Sequence, residues 1–280
     1  MKLIECPRDA MQGLAHFVPT DLKIRYLNTL LQVGFDTLDF GSFVSAKAIP
    51  QLRDTADVLA GLHLAKTQTK LLAIVANIRG AEQAVSYPQI QYVGYPLSVS
   101  ETFQQRNTNK SIAQAFTDVE VIQSLCAQAK KELVVYLSMG FGNPYGDLYN
   151  PGLIGDFTAR LVQLGVRIIA PSDTVGTSTP EAIEQLFGHL LPLFPDVEFG
   201  AHLHARPGEA PAKVRAAIRA GVKRIDGALR GFGGCPMAAD ALVGNLPTEE
   251  ILETLAGEGL SITINQEAFQ KALTLSAGVF

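Results

Sequence analysis

Short apolar runs and longer segments of helical periodicity alternate along this chain. The strand-like runs fall at residues 3–6, 37–41, 70–76, 90–93, 133–138, 167–171, 198–204 and 224–228. Between them, apolar positions recur at helical spacing over residues 21–33, 51–62, 111–131, 152–164, 180–191, 208–220 and 248–258, with a shorter stretch at 79–86. Pro19-Thr20 and Pro50 open the first two of these segments, where proline fits the first helical turn. Residues 265–280 read as one further helix and a short end.

Strand–helix alternation implies a parallel sheet with helical crossovers. Eight units without a break in composition predict a closed (β/α)₈ TIM barrel, one catalytic domain over residues 1–280, with a short C-terminal helical extension. The rival is an open doubly wound sheet, which more often carries Gly-x-Gly-x-x-Gly after its first strand. Here Pro7-Arg8-Asp9-Ala10 follows the first strand.

A barrel of this kind places its site at the carboxyl ends of the strands. Polar residues cluster there: Arg8 and Asp9, Asp39 and Ser42, Ser100 and Glu101, Ser138 and Asn143, Ser172 to Thr174, His202 and His204, then Asp226 and the Cys235 loop. Their convergence predicts one functional rim.

Composition narrows the class. Of 280 residues, 47% are hydrophobic and 18% charged, which fits a large core and excludes disorder. A formal charge of -4 offers no basic face for nucleic acid. No apolar run approaches the roughly 18 residues of a membrane span, so no membrane partner is expected. The chain opens directly on strand-like residues, which leaves no room for a signal or transit peptide. Cys6, Cys126 and Cys235 are odd in number and widely spaced. That is no disulfide framework, and a reducing cytoplasm is the expected compartment.

The candidate chemistry begins with His202-Leu203-His204. On a strand, side chains at i and i+2 share a face, so two imidazoles there can bind one ion. Such a pair alone is a weak pattern, and a buried histidine is often only a hydrogen-bonded core residue. Asp9 and Asn245 would complete a mixed nitrogen and oxygen set suited to a divalent ion, although Asn245 also reads as a turn residue. Arg8-Asp9 is either a surface ion pair or, at the end of strand one, a ligand beside a permanent cation that stabilises an oxyanion or enolate. The turn from Gly231 to Pro236 is either a flexible connection or a holder for the Cys235 thiol over a pocket. Near a cation and an arginine that thiol would ionise readily and exchange a proton with carbon. Asp173 belongs to a helix N-cap network or serves as a proton relay. Asp39 can supply a supporting carboxylate. His16, His63 and His189 carry no assigned role, and Cys6 and Cys126 read as core residues.

Taken together, Pro7-Arg8-Asp9, Ser42-Phe43-Val44-Ser45, Ser100-Glu101-Thr102-Phe103, Ser172-Asp173-Thr174-Val175-Gly176, His202-Leu203-His204, Gly233-Gly234-Cys235-Pro236 and Gly244-Asn245-Leu246 resemble the 3-hydroxy-3-methylglutaryl-CoA lyase family. That family lies within the metal-dependent Claisen-type barrel lyases and synthases. The resemblance runs from about Ile4 to about Leu260. It implies Asp9, His202, His204 and Asn245 as ligands of Mg²⁺ or Mn²⁺, Arg8 as enolate stabiliser and Cys235 as the catalytic thiol. It further implies an acyl-CoA substrate cleaved to acetyl-CoA and acetoacetate, as in leucine degradation. A homodimer is the expected assembly, since helices exposed around a barrel commonly pair. The chain departs from the family by lacking a basic residue near Ala15, by carrying Asp39 for a glutamate and Ala205 after the second histidine, and by one extra residue between Cys235 and Asn245. These changes touch the substrate shell. They leave open another hydroxyacyl-CoA, a keto-acid aldolase, or a barrel that binds without catalysis.

Overall fold

The computed structural model describes residues 1–234 and 243–280. Eight parallel strands close into a barrel in the order β1 (Lys2–Glu5), β2 (Thr37–Ser42), β3 (Lys70–Ile74), β4 (Ile90–Ser98), β5 (Glu132–Ser138), β6 (Ile168–Pro171), β7 (Glu198–Ala201) and β9 (Arg224–Gly227). β9 returns to pair with β1, Asp226 opposite Ile4. A two-residue antiparallel ribbon, β8 (His204–Ala205) with β10 (Gly244–Asn245), stands apart from the barrel wall. The helices are α1 (Pro7–Gln12), α2 (Thr20–Leu31), α3 (Thr55–Ala60), α4 (Ile78–Ser86), α5 (Glu101–Thr108), α6 (Ile112–Gln128), α7 (Pro151–Gln163), α8 (Pro180–Leu193), α9 (Ala210–Arg219), α10 (Thr248–Gly257) and α11 (Gln266–Ser276). None of the described helices is long and apolar enough to cross a membrane.

The expected (β/α)₈ barrel is therefore present, and α11 is the extension. Several boundaries differ for identifiable reasons. β4 was expected to stop at residue 93, yet it runs through Gly94 and Pro96 to Ser98. Pro96 is tolerated because the last pair between β3 and β4 is Ile74 with Gly94; beyond it, β4 has no β3 partner that needs a donor. The segment 51–62 splits into a 3₁₀ turn at Pro50–Leu52 and α3. α1 and α5 were not expected, being 6 and 8 residues long and too short to show a period. The expected seventh strand, 198–204, ends at Ala201: His202 still bridges Ser172, and then the chain leaves the wall to form β8.

One apolar core fills the space between barrel and helices, with Leu27, Phe40, Val93, Ile122 and Phe187 among its most buried members. The barrel interior is two-sided. Leu72, Ile74, Val134, Tyr136, Ile168 and Ala170 make an apolar half. Opposite them, Arg224, Asp226 and Asp39 are buried and polar. Arg224 donates to Glu198 at 3.4 Å, and Lys2 donates to the other oxygen of Glu198 at 2.5 Å.

Glu5, also fully buried, ties β1 to the last barrel unit. It accepts from the Leu229 amide at 2.9 Å and from the Thr248 hydroxyl at 2.6 Å. Burial pushes its carboxyl up to about 8, more than those two hydrogen bonds pull it down. The folded state thus holds a proton that the unfolded chain has already released at neutral pH. The associated stability is complete below the unfolded carboxyl value and lost as pH rises towards about 8, with a limiting slope of ~1.4 kcal/mol per pH unit. Glu5→Gln is neutral at every pH, and it is expected to flatten that slope and to exceed the parent in stability at alkaline pH. Urea midpoints measured at a series of pH values test this; parallel profiles for the two proteins would refute it.

Candidate active site

Pro7 occupies the first turn of α1, which starts as β1 ends and carries Arg8 and Asp9 over the barrel mouth. Both are buried. The Arg8 guanidinium divides its donors. Nε and Nη2 fork onto Asp39 at 3.0 and 2.6 Å, while Nη1 reaches Asp9 at 3.0 Å and the Gln12 side-chain oxygen Oε1 at 2.8 Å. Gln12 closes the loop by donating to Asp9 at 2.9 Å. Burial alone would raise the Asp9 carboxyl, but Arg8, both histidines and Asn245 outweigh it and hold it at about 2. For Asp39 burial wins over Arg8, and its carboxyl rises to about 6. Arg8 stays protonated, because Asp39 and Asp9 overcome the cost of burying its charge.

The histidines arrive by different routes. His202 sits on the line of β7, whereas His204 lies in β8, directly opposite Asn245 in the ribbon. Their Nε2 atoms nevertheless face each other at 3.3 Å. Asp9, His202 and His204 each offer a ligand atom within 4.8 Å of the others. The Asn245 amide joins them, its Nδ2 donating to Asp9 at 2.7 Å and to the Phe232 carbonyl at 2.9 Å. That approach depends on glycine. Gly233 has φ +107°, and a Cβ there would lie 2.4 Å from Asn245 Nδ2. A Cβ on Gly244 would meet the Gly231 carbonyl at 2.0 Å.

All four expected ligand residues therefore meet at one point. Their chemistry fits a divalent cation: two imidazoles, a carboxylate and an amide. The charge fits as well, since two buried carboxylates, Asp9 and Asp39, share the one Arg8 guanidinium. Burial and the neighbouring His202 lower the His204 imidazole, which favours the neutral form that can ligate.

Asp173 takes part in the hydrogen-bond network ahead of α8, the first of its two expected roles. Its Oδ1 accepts from the Thr177 amide at 2.9 Å. Its Oδ2 accepts from the Ser178 amide at 3.1 Å, the Ser178 hydroxyl at 2.5 Å and Lys213 Nζ at 3.1 Å. The carboxylate is buried within this network, at 1% exposure. The pair also braces the histidine segment: Lys213 donates to the His204 carbonyl at 2.6 Å, and the Asp173 amide donates to the His202 carbonyl at 2.9 Å. Ser100 and Asn143, expected on the rim, are structural. Ser100 caps α5 and donates to Asp147, and Asn143 closes the turn that ends there. Cys235 lies outside the described residues.

A cavity of about 450 Å³ opens on this cluster. Arg8, Asp9, His202 and His204 form one side with Ser138, Ser172 and Thr174; Val44, Ala48, Ile49, Ile74 and Pro96 form an apolar side. Arg106, Asn107 and Thr108, at the end of α5, also line it. Gln12, Lys213 and Arg106 escaped the sequence reading. Gln12 becomes visible once α1 is recognised, since it stands three residues after Asp9. A lysine inside an ordinary helical pattern gives no sign that its head is buried.

Residues 3–275 match the HMGL-like family. The chain belongs to that family. It is 30% identical over 273 residues to the cytoplasmic 3-hydroxy-3-methylglutaryl-CoA lyase of Rattus norvegicus, covering 97% of this chain and 79% of that one. The hydroxymethylglutaryl-CoA (HMG-CoA) lyase of Brucella melitensis superposes with a TM-score of 0.91 at 27% identity, covering 99% of this chain and 97% of that chain. An HMG-CoA lyase from Acinetobacter baumannii, solved in complex with coenzyme A and 3-methylmalate, gives the same TM-score at 30% identity, covering 100% and 90%. This HMGL-like protein is thus an enzyme of the carbon–carbon lyase class, of HMG-CoA lyase type.

Proposed function

We propose that the chain cleaves 3-hydroxy-3-methylglutaryl-CoA to acetyl-CoA and acetoacetate, with Mg²⁺ or Mn²⁺ held by Asp9, His202, His204 and Asn245. The observation that carries this reading is the meeting of that donor set with the Arg8 guanidinium at the head of one cavity. A bound divalent cation supplies Lewis-acid charge that acidifies the substrate hydroxyl and fixes its orientation.

The remaining work falls to the protein. The C3 hydroxyl loses its proton as the C2–C3 bond breaks. C3 becomes the acetoacetate carbonyl, and the electron pair passes to C2 as the thioester enolate. Asp173 is buried among Thr177, Ser178 and Lys213, which favours a water held against the imidazole pair as the acceptor of that proton. Arg8 keeps one face of its guanidinium network beside the developing charge. Asp39 and Gln12 stop that group from turning away. Cys235, two residues after Gly233, delivers the proton to C2. Cys235→Ala is therefore expected to keep its affinity for Mn²⁺ and to lose about 10²–10⁴ in turnover; an unchanged kcat would remove the thiol from the mechanism.

The buried free thiols Cys6 and Cys126 suit a reducing compartment such as the cytoplasm. The deciding experiment incubates the purified protein with divalent cation and a panel of hydroxyacyl-CoA thioesters and hydroxy keto acids. Acetoacetate and acetyl-CoA in equal amounts from HMG-CoA are expected. Activity confined to free acids, or to a thioester with a larger alkyl group seated on the Val44, Ile49 and Ile74 wall, would replace that substrate.

A further inference from the structure

We propose that Asp226 is the positioning residue that makes His202 a ligand through Nε2, an inference that rests on the cation site described above. The His202 ring has two nitrogens with separate surroundings. Nε2 faces His204 and belongs to the cluster with Asp9. Nδ1 points the other way, into the barrel, and lies 3.1 Å from Asp226 Oδ2. A carboxylate only accepts, so the ring proton must sit on Nδ1. Nε2 is then left with its lone pair directed at the ion position, the one tautomer that can ligate there.

Asp226 is well placed to impose this choice. It stands on β9, two residues after Arg224, and the pairing of β9 with β1 sets its height in the barrel. It is 1% exposed, so no solvent competes for the hydrogen bond. Tyr136 meets the other side of the ring edge-on, with centroids 5.5 Å apart and planes at 77°, which limits rotation of the imidazole. Among the described residues the second oxygen of Asp226, Oδ1, has no hydrogen-bond partner, and Oδ2 meets His202.

Cys6 also lies within ligand distance of His202 and Asp226. Burial raises the thiol well above its usual range, and Asp226, Asp39 and Asp9 push it the same way. Within this trio the contact at hydrogen-bond distance is the one between His202 and Asp226.

Two measurements test the assignment. The first is Mn²⁺ binding, followed by the electron paramagnetic resonance of the free ion, in the parent and in Asp226→Asn. In the variant the amide either donates to Nδ1 and drives the proton onto Nε2, or accepts more weakly than a carboxylate. Either way, Mn²⁺ should bind about 10–100-fold more weakly, with the thermal transition of the fold retained. The second uses the parent alone, in case the variant does not fold. Nitrogen-15 shifts of His202, recorded without added ion at a pH where the ring is neutral, should report a protonated Nδ1 and a bare Nε2. Asp226→Asn binding Mn²⁺ as tightly as the parent, or a parent ring protonated on Nε2, would overturn the proposal while leaving the cation site standing. A parent that takes up no Mn²⁺ at all would overturn both.

Discussion

Replacing Arg8 with lysine is expected to lower kcat by about 10²–10³-fold, the usual cost of losing a donor aimed at developing negative charge. The charge itself is kept, so the effect isolates geometry. The guanidinium grips Asp39 with two nitrogens while a third reaches Asp9 and Gln12. A single ammonium cannot serve both directions at once. Released from the fork, it would pair with the nearer carboxylate and leave the enolate position. Because the lost interaction belongs to the transition state, kcat and kcat/KM should fall together. Steady-state assays on HMG-CoA at saturating cation measure this. A variant within about threefold of the parent in kcat, with only KM raised, would reduce Arg8 to a ground-state binding group.

The largest stability effect is expected at Lys213, far from any substrate contact. Lys213→Met keeps the stem and removes the ammonium, leaving the Asp173 carboxylate inside the fold without its cation. Lys213 is 3% exposed and Asp173 1%, so water cannot take over. Removing one partner of such a buried pair costs about 3–5 kcal/mol. The His204 carbonyl loses its donor at the same time, so divalent-ion affinity should weaken as well. Adding Asp173→Asn removes the stranded charge and should recover part of the loss, because the two residues share one network. Urea denaturation of the parent, both single variants and the double variant gives the coupling. A Lys213→Met protein within about 1 kcal/mol of the parent would show the pair to be dispensable.

These two cases also show how far the residues announced their roles. Arg8 and Asp9 could be picked out because they follow the first strand of a repeating pattern, and the mouth of such a barrel is where chemistry collects. Asp173 was noticed for the same reason, with a helix N-cap network and a proton relay as its two readings. Its position at the end of β6 is a local property, whereas its ion pair is made with Lys213, forty positions away in the chain. His202 and His204 were expected to share one strand face. They do meet, but only because the wall ends and β8 pairs with β10.

What the order of residues determined unaided was the alternation of apolar strands and helical segments, and with it the barrel, since burial and backbone pairing leave that pattern few other solutions. It also determined which donor types were on offer. Tertiary structure alone decided their partners. Asn245 reaches Asp9 across 236 positions, and Asp226 reaches the far side of the His202 ring across 24. Such contacts are set by strand register and by closure of the cylinder. No local preference encodes either, because each depends on every strand between.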